Sequence, residues 1–381
     1  RFLSAARVPA LFNVNLLTEL VKVMLSFCHL VKETIAVVEA RPDDGKEIVH
    51  IAYGADINFA LGTAVSAVSV LHNSPQVLPH FHLFTDRISE DFIDKFRAYG
   101  REQAFSMTVY LVDTDKLAAL PVKARWPSAI YFRIVAIDYL ASRVPRVLYL
   151  DSDITCCADI APLISADIGD NAVAACLDID FIDEGDRVAK LNAPEVRGKY
   201  FNSGVLLVNT RAWQDRDISA RIARGLCDPQ IKDALLYYDQ DLINIAVAGR
   251  VTFLDGKYNT QYSLNDEYKG PDSALPADIT FLHYIGATKP WHEWAEPYAS
   301  ADYFMRYKAC SPWKSVPLVK PHKKILWRHA LKHARHQGNI GACLKYATGL
   351  VGISLKTLLQ RAGGKKRADA AQPLQNSKAL R

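Results

Sequence analysis

"RVLYLDSDITCC", residues 146–157, sets two aspartates one residue apart directly after an apolar run. The run reads as a buried strand that ends at Asp151 and Asp153. Along an extended chain the two carboxylates project to one side and Ser152 to the other. Carboxylates this close repel unless a cation sits between them. Oxygen ligands suit a hard ion such as Mg²⁺ or Mn²⁺, which commonly bridges to phosphate oxygens. A loop of solvated or helix-capping aspartates is the plainer reading, and the rest of the chain has to separate the two.

On both sides of this stretch, strands alternate with helices. "EIVHIAYG" and "HFHLFTD" read as strands, a helix pattern covers 60–71, and "SEDFIDKFRAYG" reads as a capped helix closed by Gly100. "FSMTVYLVD" is a further strand and "AIYFRIVAIDYLAS" a helix; "NAVAACLDID" and "YFNSGVLLVNT" are strands, "DQDLINIAVAG" a helix, "RVTFLDGKYN" a strand and turn, and "ADITFLHYIG" a last strand. This order makes βαβ units, hence an α/β fold with a mainly parallel sheet. Such sheets bind ligands beyond the carboxyl ends of their strands, where "HIAYGAD", "LYLDSD", "AACLDID" and "FLHYIG" all place polar residues.

Four regions are expected: a helical extension over 1–46, a catalytic domain over 47–295, a basic helical region over 296–361 and a disordered tail over 362–381. No internal repeat is evident. The chain opens on Arg1 and not Met, so its natural start is expected to be missing or processed. Seven scattered cysteines, with no CxxC pair, argue against a disulfide framework or zinc cluster and for a reducing compartment. No run reaches the roughly 18 apolar residues of a spanning helix. The net charge of +5 is unevenly spread. From Met305 to Arg381 there are 17 Lys and Arg against the single acid Asp369, while the remainder carries 29 against 40. An acidic body with a basic tail suggests a tail that meets polyanions. Nucleic acid is the poorer candidate, because no stacking sheet or reading motif accompanies the charge.

"LYLDSDIT" also fits the DxDxT signature of haloacid-dehalogenase-like phosphatases, in which the first Asp is a nucleophile. That signature follows the first strand of its domain, whereas here about three strands precede it. "HYIGATKPW", residues 283–291, weighs against it: an imidazole, a glycine turn and a lysine at fixed spacing look like a grip on a diphosphate and its metal. Taken with "HIAYGADINFA", "YFRI", "VLYLDSDI", "AACLDI", "YFNSGVLLVN" and "YDQDLIN", the chain resembles glycosyltransferase family 8 over roughly residues 48–295. That family uses nucleotide-sugar donors on a GT-A fold. "KPWHEWA…SPWK" and the basic tail look closest to bacterial lipopolysaccharide core glucosyl- and galactosyltransferases.

The resemblance implies a fold and a set of roles. The fold is a GT-A-type α/β domain with a mixed, mainly parallel central sheet plus helical N- and C-terminal extensions. Gly54, Ala55, Asp56 and Asn58 match the uridine-binding end of the first strand, Asp56 meeting the uracil edge and Gly54 leaving room for the base. Ile57 stands where relatives often carry a second acid. Arg133 matches a basic group near the donor sugar and phosphate, and Ser152 lies near the ribose. Asp151, Asp153 and His283 match the metal ligands, a mixed O/N set that favours Mn²⁺ with Mg²⁺ also accepted. Gly286 and Lys289 match diphosphate contacts. Asp178, Asn202, Gly204, Asp239 and Gln240 match positions around the transferred sugar and the acceptor hydroxyl.

The implied reaction moves a glucose or galactose from a UDP-hexose donor to a lipopolysaccharide core acceptor, with retention at the anomeric carbon. Gln240, at the position of a would-be nucleophile, is a poor one, which favours front-face attack, although Asp239 and Asp241 flank it. The basic residues among Ile325, Leu326, Trp327, Leu331, Leu344, Tyr346, Leu350 and Leu355 suit an anionic membrane interface. The enzyme is then peripheral on the cytoplasmic face of a bacterial inner membrane; a helical lid packed on the body is the other reading of that segment. The alternative to an enzyme is a non-catalytic sugar-nucleotide-binding or membrane adaptor protein of the same fold.

Overall fold

The computed structural model describes residues 27–40, 45–117, 120, 128–179, 185–267 and 274–354. Two compact units emerge: one of residues up to 262 with 275–285 and 302–316, the other of 263–274, 286–301 and the segment from 317 onward.

The first unit is built on an eight-stranded mixed sheet in the order β1-β4-β3-β2-β5-β8-β7-β9. Its strands are β1 (Val31–Val38), β2 (Glu47–Gly54), β3 (Val77–Thr85), β4 (Ser106–Val112), β5 (Arg146–Leu150), β7 (Val173–Ala175), β8 (Val205–Asn209) and β9 (Val251–Phe253). Pairings β4–β3, β3–β2, β2–β5 and β7–β9 are parallel, while β1–β4, β5–β8 and β7–β8 are antiparallel. Period-2 alternation decides the faces of β2. Tyr53 turns towards the helix Ala60–Asn73, where its hydroxyl meets Ser66 at 3.1 Å, and Ala52 joins Phe84, Phe132 and Val135 of the helix Phe132–Ala141 in one buried cluster. Helices thus cover both faces of the sheet centre.

Two expectations need correction. Val31–Val38 is not part of a helical extension: it is the edge strand β1, antiparallel to β4, so the sheet begins before residue 47. Its "VKETIAVV" carries β-branched residues that suit a half-buried strand better than a helix. The rest of the expected extension, up to residue 26, and the expected tail over 362–381 lie outside the described residues. Nor is the segment after Trp294 a continuous helical region. Residues 302–316 belong to the first unit, where Trp313 packs on Phe92 and Phe96, and a non-helical stretch separates the helices Asp302–Ala309 and Lys324–His336.

A second sheet, in the order β10-β11-β6, was not foreseen; its strands are β6 (Ile154–Cys156), β10 (Thr260–Ser263) and β11 (Phe281–Ile285). β11 runs antiparallel to β6, with His283 opposite Ile154, which draws His283 next to the turn holding the aspartates.

The second unit, described by itself, contains the helix Lys324–His336 and a further helix over 340–354. Trp294, Ala330, Ala334 and Tyr346 form its small core. His333 is fully buried there: its Nε2 meets Thr288 and Asn265 at 2.9 Å each, and its Nδ1 pairs closely with the Tyr298 hydroxyl. No helix among the described residues is long and apolar enough to cross a membrane.

Candidate active site

β5 and its antiparallel neighbour β8 bring distant residues together. Leu150 pairs with Val205, so the residue after β5 meets the residue before β8: Asp151 N–H donates to the Gly204 carbonyl at 2.8 Å. β7 runs alongside β8, and its continuation carries Asp178, whose N–H donates to Tyr200 O at 3.0 Å. Strand ends therefore gather Asp151, Asp178, Asn202 and Gly204.

The aspartates sit on a turn between β5 and β6, and not on extended chain. Both carboxylates still reach His283: its Nε2 lies 3.3 Å from Asp153 Oδ1 and 3.9 Å from Asp151 Oδ2. Ser152 points the other way, 4% exposed, and its hydroxyl accepts from Thr63 at 2.8 Å.

A chain of amides settles the tautomer of His283. Asn202 Oδ1 accepts from Gly204 N–H at 2.9 Å and from Asn259 Nδ2 at 3.0 Å. Asn259 therefore presents its oxygen to His283 Nδ1, 2.9 Å away, and the ring proton belongs on Nδ1. Nε2 then offers its lone pair to two carboxylates. Three acceptors face one another there, and they fit a shared divalent cation. One ligand atom from each of Asp151, Asp153 and His283 lies within 4.8 Å of the others, the spread of a metal-binding set. Asn259 completes it as the oriented partner of the imidazole.

Beside this set lies Arg133, from the helix Phe132–Ala141. Its Nη2 donates to Asp151 Oδ1 at 2.7 Å, its Nη1 pairs closely with Ser203 Oγ, and its guanidinium lies 5.1 Å from the Tyr149 ring centre. Its Nε is 2.8 Å from Asp239 Oδ2 but is not aligned for a hydrogen bond, so that contact is coulombic. Burial opposes the Arg133 charge, yet Asp151 and Asp239 outweigh it and raise its pKa. Burial pushes the Asp239 carboxyl up to about 7 against the pull of Arg133, with Asp151 adding to the rise. Arg133 is thus the cation that lets two acids share a buried corner.

Gln240 follows Asp239 on the helix Asp239–Ala246. Its Oε1 accepts from Ser203 N–H at 3.0 Å and its Nε2 donates to Asp178 Oδ2 at 3.0 Å and to Tyr200 Oη at 3.2 Å. Asp178 Oδ2 also accepts from Asn202 Nδ2 at 3.0 Å. The helix is entered through Tyr238 at φ 39° and ψ −93°, a strained positive-φ residue directly before this pair. Asp241 is structural: its Oδ2 accepts the Leu236 and Tyr237 N–H groups at 2.8 Å each, and its Oδ1 accepts Tyr200 Oη at 2.6 Å.

At the end of β2, Asp56 accepts Asn58 N–H at 2.8 Å, buried Ala55 donates to Phe84 O at 3.0 Å, and Asn58 is exposed. Gly54 has a structural reason beside the expected room for a base. A Cβ there would lie 2.9 Å from Phe132 Cβ and 3.0 Å from Arg133 N, so glycine admits the helix that carries Arg133. Gly286 and Lys289 belong to the second unit: Gly286 takes φ 84°, and Lys289, 9% exposed, donates its N–H to His292 Nδ1 at 3.1 Å. Sequence reading passed over Asn259, Ser203, Tyr149 and Thr63. Of these only Tyr149 carried a local signal, two residues before Asp151 near the end of β5, where its hydroxyl meets Asp151 Oδ1 at 3.1 Å.

Residues 50–295 match the family described as glycosyl transferase family 8, and residues 298–348 match its C-terminal region. The chain is 39% identical over 287 residues to the lipopolysaccharide glucosyltransferase WaaO of Escherichia coli (strain K12), covering 75% of this chain and 85% of that protein. It is 36% identical over 327 residues to the lipopolysaccharide 1,3-galactosyltransferase of Salmonella typhimurium, covering 84% and 94% respectively. Among solved structures, the galactosyltransferase LgtC in complex with donor and acceptor sugar analogues superposes with a TM-score of 0.58 at 26% identity, covering 71% of this chain and 98% of that one. The mixed sheet, the paired aspartates at its strand ends and these matches agree: the chain belongs to glycosyl transferase family 8.

Proposed function

We propose that the protein transfers glucose or galactose from a UDP-sugar to a lipopolysaccharide core oligosaccharide, forming an α-linkage with retention. The convergence of Asp151, Asp153 and His283 on one point carries this reading, supported by the lipopolysaccharide transferases among its relatives. These three residues would hold Mn²⁺ or Mg²⁺. When bound, such an ion neutralises a departing diphosphate as a Lewis acid. His283 is held ready by Asn259, so little reorganisation is needed as charge develops.

Arg133 anchors Asp151 and Asp239 together, and Gln240 is held by Ser203, Asp178 and Tyr200. An amide engaged at both ends, and intrinsically a weak nucleophile, orients a sugar better than it attacks one. The acceptor hydroxyl then enters on the face the diphosphate leaves, and the leaving phosphate takes its proton. Asp178 and Asn202 border the same network and are assigned to the donor sugar and acceptor, with Lys289 and Gly286 assigned to the diphosphate. Gly54, Ala55, Asp56, Asn58 and Ser152 are assigned to the nucleoside.

The test is UDP release from UDP-glucose or UDP-galactose with Mn²⁺ and truncated lipopolysaccharides. Asp151→Asn should lower turnover on the order of 10²-fold or more, as loss of one electrostatic partner does. Undiminished, metal-independent turnover in that variant would remove the assigned site, and no UDP release by the unaltered protein would favour a binding role.

A further inference from the structure

A second cluster lies on the central sheet and shares no residue with the site described above. His50 on β2 pairs in register with His80 on β3, and His82 follows two residues on, so all three imidazoles share one sheet face. One nitrogen of each ring lies within 4.8 Å of those of the other two. His50 Nδ1 and His82 Nε2 are 3.0 Å apart, and the His80 and His82 rings stack with centroids 4.1 Å apart.

Two of the rings have an oriented hydroxyl partner from β4. Tyr110 Oη meets His82 Nδ1 at 3.0 Å, and Thr108 Oγ1 meets His80 Nε2 at 2.9 Å. His82 Nε2 and His50 Nδ1 face each other and share a hydrogen-bond proton that a bound cation would replace, and one His80 nitrogen joins the set. Ligand imidazoles are usually held this way, the second nitrogen engaged so that ring and tautomer are fixed. A tetrahedral zinc with bonds of about 2.0–2.1 Å places its nitrogen ligands about 3.4 Å apart, so the His50 and His82 nitrogens, 3.0 Å apart in their hydrogen bond, would part by about 0.4 Å to take it. His82 is buried while His50 and His80 are half-buried, and Ile48, two residues before His50 on the same face, is 55% exposed. The site therefore opens at one side, where a water can complete four-coordination.

We propose that His50, His80 and His82 form a three-imidazole site for a borderline transition-metal dication, Zn²⁺ foremost, that ties β2 to β3. All-nitrogen ligation separates it chemically from the carboxylate-rich set around Asp151, because imidazole selects zinc, copper or nickel where carboxylates accept magnesium or manganese.

The test uses full-length protein, stripped of metal, in which Asp151→Asn and Asp153→Asn disable the other set. Titration with Co²⁺, read by its visible absorption, and with Zn²⁺, read by calorimetry, should show one ion per chain and a raised melting temperature. X-ray absorption should show nitrogen-only protein ligation. His80→Gln should abolish binding. Tyr110→Phe keeps all three ligands but removes the partner of His82, and should weaken binding about 10–100-fold. Absence of binding in the Asp151→Asn, Asp153→Asn protein would overturn the proposal. So would binding that Tyr110→Phe and His80→Gln leave unchanged; if His80→Gln fails to fold by circular dichroism, Tyr110→Phe alone decides.

Discussion

Asn259 illustrates how much one amide can decide. Its Nδ2 is committed to Asn202, so only its oxygen can face His283, and the imidazole must turn a bare Nε2 towards the aspartates. Gly204 bounds the other side of the ring: a Cβ there would lie 2.4 Å from His283 Cε1. Asn259→Leu should therefore weaken Mn²⁺ binding about 10–100-fold, as loss of an outer-shell partner does, without unfolding the protein. Asn259→Asp keeps the acceptor for His283 but sets a carboxylate oxygen against Asn202 Oδ1, and should recover part of the affinity. Equal Mn²⁺ affinity in all three proteins, by calorimetry, would show that Asn259 does not orient the ring.

Among the elements, the helix Phe132–Ala141 is placed by the lack of a side chain at Gly54. Gly54→Ala must push Phe132 and Arg133 away from β2, and overpacking of this kind costs about 1–3 kcal/mol. The denaturation midpoint should fall accordingly, and turnover should drop further than stability because Arg133 moves with the backbone. Unchanged turnover would mean the helix absorbs the methyl without shifting Arg133. In the second unit, the helix Lys324–His336 exposes Ile325 and the helix over 340–354 exposes Ile340, Leu344 and Val351, with Lys323, Lys324, Arg328, Lys332 and Arg335 also at the surface. We propose that this surface meets an anionic bilayer: basic residues there contribute about 1 kcal/mol each, so reversing three of them should weaken binding to phosphatidylglycerol vesicles about 100-fold or more. Sedimentation with vesicles at two salt concentrations checks this, and salt-insensitive or absent binding would remove the membrane role.

For the whole molecule, buried imidazoles set an acid limit. Burial depresses His333 to about 4 and His292 to about 3 from 6.5, with neighbouring positive groups adding to both shifts. His80, at about 4, and His82 move the same way. The unfolded chain takes protons below 6.5 that these folded sites refuse, so their contribution is complete above that pH and declines as pH falls towards 4. Asp239, raised to about 7, works in the opposite sense, one group against several. The denaturant midpoint should therefore drop steadily between pH 6.5 and 4, and His333→Asn should flatten that slope. A midpoint independent of pH in this window would mean the rings are solvated. On this scale the sequence was informative about class: alternation and helical periodicity along 47–295 revealed an α/β sheet with polar residues at its strand ends. It was misleading at Val31–Val38, where edge-strand pairing with β4 overrode a helical pattern, and silent on the small sheet that carries His283.

Read alone, the order of residues determined the family and showed the paired acids, because these lie in short runs whose local pattern carries the information. Tertiary structure decided what each of the candidate side chains meets. Asn259, Ser203 and Tyr200 entered the site only through pairing of strands and helices far apart in sequence, and Gly54 owed its identity to a helix some 80 residues later. The physical reason is that hydrogen-bond direction and steric exclusion depend on where atoms meet in space, and a one-dimensional pattern records which residues are present but not which of them meet.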